Sequence, residues 1–410
     1  MTRLSELIDQ STIRGSNGVP AVSVLIKDKT GATLVQKKSG YKSLDPEAAP
    51  IDDRTISRLS SSTKLFTAIA ALQCVERGQI TLDEPVYTHL PELKDKQVIA
   101  SSRSSTASAA PTASGVQDSE VTFADTSQPI TLRHLLTHTS GIGYDMLDPT
   151  LQAWRKSRNE PAKSMSGYAT GMFDAPLLFE PGTSWMYGAG YDAVGVLVSR
   201  LNNMGLEAYM RRNIFEPLGL ESCTFFIRKK EGGMDRLVQC VTRTGGSEPK
   251  LVPFPDPTSD NAAEEQGSGG LYCSVPDYVA VLVDLLQDEP KLLRKNSVDL
   301  LFTPQLEDGS SAMEGFQKAS YLWGSFSGGA PDDARVNHSL GGLLIEEGTK
   351  GAEGARSTLQ WAGGTGTLWM LERERGIAAF YATQIFPPMD KQATMLREAF
   401  MEEVRRIGSE

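Results

Sequence analysis

Apolar positions recur along this chain at two periods, and the alternation between them outlines an architecture. Leu4 and Ile8 mark a short amphipathic helix, after which Val22, Val24 and Ile26 alternate with smaller or polar residues. The KDKTG stretch at 27–31 supplies a turn before Thr33 to Val35 resume, which predicts an antiparallel hairpin. A polar connection through Pro50, Asp52 and Asp53 leads into RLSSSTKLFTAIAALQCVERG, residues 58–78. There Leu65, Ile69, Leu72 and Val75 fall three and four apart and Gly78 gives a stop, so a helix is expected from Thr63 onward. Thr131 is expected to cap a short helix through Leu132, Leu135 and Leu136 that Ser140 and Gly141 end. DAVGVLVSRLNN and LEAYMRRNIFEPLGL read as helices, the second stopped near Pro217. SVPDYVAVLVDLLQDE begins with a capping-box-like Ser274 and Asp277.

The C-terminal part returns to strands. TLQWAGGTGTLWMLERERGIAAFYATQ reads as two apolar runs joined by a charged turn at Glu372 to Gly376. An amphipathic helix follows, with Met395, Phe400 and Val404 on one side. Strands at both ends and helices between predict an α+β fold: an antiparallel sheet flanked by terminal helices, with a mainly helical lobe inserted. Residues 1–60 and 265–410 are expected to form the sheet lobe and 61–264 the helical lobe. Within the latter, residues 99–129 include SSRSSTASAAPTASG, which lacks aromatics and any period. Such a segment buries too little to offset its ordering entropy, so a flexible surface insertion is expected.

Composition narrows the function. A formal net charge of −10 argues against nucleic acid or an anionic membrane surface as the main partner. No apolar run approaches a bilayer span, and MTRLSELIDQ has no secretory core. Cys74, Cys223, Cys240 and Cys273 are scattered without C-x-x-C pairs, and read as buried free thiols of a reducing compartment. A cytoplasmic location is the expectation.

Ser61 and Lys64 form an S-x-x-K pair at the helix start, and a spacing of three brings both to one face. The positive end of the helix favours an anionic serine oxygen, and a lysine near it acts as a base when neutral. A plain N-cap hydroxyl explains the serine equally well. A serine nucleophile also needs a second proton carrier and donors for the developing oxyanion. Tyr187, in WMYGAGYD, offers a phenol, although a buried aromatic with a satisfied hydroxyl is the simpler explanation. Gly363 and Gly364 offer close backbone approach, although glycines in a strand also mark bulges. His134 and His138, four apart, have no acidic third ligand nearby and read as structural, so no metal or other cofactor is expected. G-x-S-x-G, H-E-x-x-H and Walker signatures are absent.

Taken together, Ser61-x-x-Lys64, LLTHTSG at 135–141, Tyr187-Gly-Ala, GGLYCSVPDY at 269–278 and Trp361-Ala-Gly-Gly resemble the serine β-lactamase-like proteins. That group includes class C β-lactamases, penicillin-binding proteins and related esterases. LSSSTKLFTAIAALQCVERG and LRHLLTHTSG are most similar to the fungal acyltransferases of polyketide side-chain transfer, the lovastatin-type transesterases. The resemblance implies Ser61 as nucleophile, Lys64 as its base partner and Tyr187 as the catalytic tyrosine. It implies an oxyanion hole from the N–H groups of Ser61 and Gly364. Where the lactamases carry Tyr-x-Asn this chain has Ala189, and where they carry Lys-Thr-Gly it has Trp361-Ala362-Gly363. Both departures speak against β-lactam hydrolysis and for a neutral or bulky acyl substrate. Trp185, Trp361, Gly363 and Trp369 are the expected substrate-binding residues, the three indoles walling an apolar cleft.

The expected function is acyl transfer in specialised metabolism, from a thioester (on a carrier protein or coenzyme A) through an acyl-Ser61 to a hydroxyl of a small-molecule acceptor. An esterase, lactonase or thioester hydrolase would use the same residues. A non-catalytic binding protein on this fold is disfavoured because Ser61, Lys64 and Tyr187 are all present.

Overall fold

The N-terminal hairpin forms where the alternation places it, with β1 (Ala21–Asp28) antiparallel to β2 (Thr33–Gly40). Asp28 Oδ1 accepts the Thr30 and Ala32 N–H groups at 2.8 and 3.0 Å, which closes the KDKTG turn. The computed structural model describes residues 2–101, 122–164, 166–254, 261–327, 329–331, 334–348 and 356–407. Five later strands complete the sheet: β3 (Arg335–His338), β4 (Leu343–Glu347), β5 (Arg356–Gly363), β6 (Thr367–Glu372) and β7 (Ile377–Ala382). The order is β2-β1-β7-β6-β5-β4-β3, antiparallel throughout, so the first strand pairs with the last.

Helices cover both faces. Those used below are α1 (Arg3–Ser11), α2 (Lys64–Glu76), α3 (Leu132–Leu136), α4 (Gly190–Asn202), α5 (Val275–Leu285) and α6 (Lys391–Ile407). Leu4 and Ile8 of α1 and Leu396, Phe400 and Val404 of α6 pack on Val22, Val24, Ile26, Ala379 and Tyr381. The opposite face presents Leu25, Leu371 and Phe380 to a larger core shared with α2, α4 and α5. A strand buried on both faces has no polar side, which is why IAAFYA of β7 shows no alternation. The α+β arrangement with terminal helices flanking the sheet is the one expected.

Several local expectations change. The run read as one strand through 358–371 is two, because Gly363 to Gly366 make a tight turn: Gly366 N–H donates to Gly363 O at 2.9 Å and Gly366 has φ of 83°. The glycines are therefore a hairpin turn and not a bulge. The helical run from Leu206 passes through a π turn at Arg211–Phe215 and ends at Gly219, with φ of 68°; Pro217 sits inside its last turn. Helix α3 ends at Leu136, short of Ser140. Ser274 caps α5, but Asp277 accepts from the Ser222 N–H and hydroxyl, so the reciprocal half of the capping box is missing.

The 99–129 segment is tied down at both ends. Gln97–Ser101 pairs with Thr122–Asp125, Ile99 N–H donates to Leu177 O at 2.9 Å, and Glu180 accepts the Ser127 and Gln128 N–H groups. Its centre, 102–121, expected to be flexible, lies outside the described residues. All four cysteines are buried as thiols, with the Cys223 and Cys273 sulfurs 3.1 Å apart. Among the described residues no helix is long and apolar enough to cross a membrane.

Candidate active site

Ser61 sits in a 3-10 turn, Ser60–Thr63, that runs directly into α2. Ser60 has φ of 46°, a left-handed conformation unusual for a residue with a side chain, so the chain turns sharply just before Ser61. Leu59, Leu65, Phe66 and Ile69 anchor this turn in the core, fully buried. The Lys64 side chain, only 2% exposed, rises back over Ser61 as a spacing of three on a tight helical turn requires. Its Nζ lies 3.4 Å from Ser61 Oγ, 3.4 Å from the Tyr144 hydroxyl and 2.9 Å from Ser268 O. The Tyr187 hydroxyl donates to Ser61 Oγ at 2.5 Å, and Lys64 Nζ stands 4.7 Å from the Tyr187 ring centroid. The three residues singled out in the sequence therefore meet at one oxygen.

Tyr187 reaches this point through close backbone packing. A Cβ on Gly188 would stand 1.8 Å from Ile142 O, and one on Gly190 2.7 Å from Leu135 O. The Gly-Ala-Gly after the tyrosine thus lets its segment lie flat against residues 135–143. Ala189, between the two glycines, is fully buried.

The β5–β6 turn is fastened to the Ser61 turn. Thr367 Oγ1 donates to Leu59 O at 3.1 Å and shares a hydrogen bond with Ser62 Oγ at 2.8 Å. Thr365 Oγ1 donates to Arg58 O at 2.9 Å and meets Ser60 Oγ at 3.1 Å. A Cβ on Gly363 would stand 2.2 Å from Leu59 O, so Gly363 serves the approach of backbone to backbone and not, as expected, a substrate. Gly364 follows at the half-buried turn, where a Cβ would meet only the Phe386 ring edge at 3.9 Å. Neither the Ser61 nor the Gly364 N–H has an acceptor among the described residues.

Four residues that spacing could not reveal complete the surroundings. The Tyr144 hydroxyl accepts from Lys64 Nζ, and burial together with Tyr187 and Asp192 pushes its titration well above that of an ordinary phenol. Asp192, fully buried in the first turn of α4, accepts the Ser268 N–H at 3.1 Å. Burial pushes Asp192 up to about 6, with Ser268 and the Lys64 charge pulling the other way. His138 and His338 lie with rings 5.4 Å apart, and burial holds both below the usual imidazole range, His338 down to about 4. His134 and His138 do not share a helix face, because His138 lies beyond the end of α3 with φ of 59° and His134 belongs to the capping box with Thr131.

The indoles divide by depth. Trp361 rests 5.5 Å from Tyr187, ring to ring, and Trp185 lies one layer further back against Phe316, His138 and His338. Trp369 stands opposite Trp361 in the β5–β6 register, on the same face of the sheet, but it is wholly enclosed in the core and so walls no cleft.

Comparison with known proteins places the chain in a family. The Beta-lactamase family profile matches residues 9–400. An acyltransferase, calJ, from Penicillium decumbens is 36% identical over 91% of this chain and 86% of its own. A lovastatin esterase from Penicillium rubens is 32% identical over 99% of this chain and 97% of its own. The structure of simvastatin synthase (LovD) from Aspergillus terreus superposes with a TM-score of 0.82 at 27% identity, covering 97% of this chain and 96% of that one. With residues 9–400 matched and its fold shared, the chain belongs to the Beta-lactamase family, among the serine acyltransferases and esterases.

Proposed function

We propose that Ser61 is the nucleophile of an acyl transfer whose donor is a thioester, on a carrier protein or coenzyme A, and whose acceptor is the hydroxyl of a small molecule. The observation that carries this reading is the convergence of the Tyr187 hydroxyl and Lys64 Nζ on Ser61 Oγ, at 2.5 and 3.4 Å. Ser61 Oγ attacks the thioester carbonyl while its proton passes to the Lys64–Tyr187 pair. The Ser61 and Gly364 N–H groups take the developing oxyanion, and the C–S bond breaks as the departing sulfur receives that proton. In the second half an alcohol oxygen attacks the acyl-Ser61 carbonyl, its proton passes to Tyr187, and Ser61 Oγ is reprotonated as the ester leaves. Trp361, against Tyr187 where the lactamases carry a lysine, supports a neutral acyl group over an anionic one.

Similarity to the acyltransferase from Penicillium decumbens supports an alcohol as the acceptor; similarity to the lovastatin esterase supports a second reading in which water takes its place. Product analysis with an acyl thioester, with and without candidate alcohols, separates them. An alcohol-dependent ester is expected; free acid in equal amount with and without alcohol would establish the hydrolase. Ser61→Ala is expected to abolish both turnover and the covalent mass increment seen on intact protein, and retained turnover would remove Ser61 from the mechanism.

A further inference from the structure

His138 grips the backbone on both sides of Tyr187. Its carbonyl oxygen accepts the Met186 N–H at 3.0 Å, and its ring Nδ1 accepts the Gly188 N–H at 3.4 Å. The imidazole also lies 4.8 Å from the Tyr187 ring, tilted by 59°. This grip requires φ of 59° at His138, a left-handed conformation that disfavours residues with side chains.

Packing alone does not account for a histidine here. The ring is 2% exposed, and its Nε2 has no partner among the described residues. A buried donor left unsatisfied carries a cost that a phenyl ring of similar size would avoid. Nδ1 can accept only when unprotonated. Burial, with His338 and Lys64 nearby, keeps the imidazole neutral, and the hydrogen bond from Gly188 assigns its proton to Nε2. His338 at 5.4 Å and Trp185 at 5.7 Å then close the ring in from behind.

We infer that His138 is a positioning residue for Tyr187: its carbonyl and Nδ1 fix the Met186–Gly188 backbone so that the phenol meets Ser61 Oγ. The inference rests on Tyr187 being the proton carrier of the proposed reaction. It assigns the LLTHTSG segment a role in turnover beyond ending α3.

Three variants separate an acceptor role from a packing role. Asn tolerates the left-handed conformation and places a carbonyl oxygen near the Nδ1 position; Leu is of similar size without an acceptor; Gly removes acceptor and bulk but carries no backbone strain. Hydrolysis of 4-nitrophenyl butanoate by the full chain gives kcat and KM. His138→Asn is expected to keep kcat within about fivefold of the parent, whereas His138→Leu and His138→Gly lose about 50-fold or more at nearly constant KM. Should His138→Leu fail to fold, the Asn and Gly pair carries the comparison. An Asn variant as impaired as Leu or Gly, or a Leu or Gly variant as active as Asn, would overturn the inference. Tyr187→Phe is measured beside them: full activity there overturns the reading of Tyr187, whereas a dead Tyr187→Phe with fully active His138 variants overturns the positioning role alone.

Discussion

Burial moves Asp192 and His338 in opposite directions, and the signs make a test. Asp192 is pushed up from 3.8 to about 6, so between those values the folded state binds more protons than the unfolded one and stability falls as pH rises. His338 is pushed down from 6.5 to about 4, so across that window the folded state binds fewer protons and stability is lost as pH falls. The two contributions oppose each other between about pH 4 and 6 and are of similar size, about 3 kcal/mol each at 1.36 kcal/mol per unit. Asp192→Asn keeps an acceptor for the Ser268 N–H and removes the carboxyl titration. Its melting temperature is expected to exceed the parent's above pH 7, and to fall more steeply than the parent's from pH 6.5 to 4. Parallel curves would show that Asp192 does not titrate in this range. The charge beside Lys64 also changes, so the parent's change in kcat/KM near pH 6 is expected to disappear in the variant. Ser61 and Lys64 were legible because three residues of sequence bring them together, and Tyr187 because it sits just before a Gly-Ala step. Tyr144, Asp192, Ser268 and His138 were not, because they converge from separate segments and each has an ordinary local context.

Among the elements, the β5–β6 turn is the part whose shape the sequence left open. Glycines in an apolar run are compatible with a bulge, a turn or a close approach, and only the partner strand decides. Here Gly363 meets Leu59 O while Thr365 and Thr367 hold the same turn through side chains, so the hairpin and the Ser61 turn move as one piece. Gly363→Ala would drive a methyl to 2.2 Å from Leu59 O and 2.3 Å from Thr367 Oγ1, and the hairpin must retreat. A loss of about 2–4 kcal/mol in stability is expected from overpacking against backbone, read by chemical denaturation. Gly364 would move off with it, so kcat is expected to fall about 100-fold, the scale of losing one oxyanion donor. Thr367→Val, which keeps the shape and removes the hydrogen bonds to Leu59 and Ser62, is expected to show a smaller loss of both. Equal activity in Gly363→Ala and the parent would show that this turn contributes no donor.

For the whole molecule, the pairing of first and last strands explains both what was legible and what was not. The β1–β2 hairpin sits toward one edge with β2 half exposed, and its alternation is plain. β5, β6 and β7 are enclosed between α1 and α6 on one side and the α2, α4 and α5 layer on the other, so their apolar runs carry no period and their boundaries blur. The same logic bears on the 99–129 segment. Its stem, Gln97–Ser101 with Thr122–Asp125, is fastened to the rest through Leu177 and Glu180, while all of Thr122–Asp125 is exposed. The Ser- and Ala-rich composition of residues 102–121 predicts little burial, which makes them the place to shorten the chain. Replacing residues 104–119 by a short Gly-containing turn changes the loop-closure term by only about 1 kcal/mol, since each halving of loop length is worth about 0.6 kcal/mol. The melting temperature is expected to stay within about 3 °C of the parent's, with kcat unchanged. A larger drop would mean that this segment packs against the helices near Leu177, and that its Ser- and Ala-rich composition conceals a structural contact.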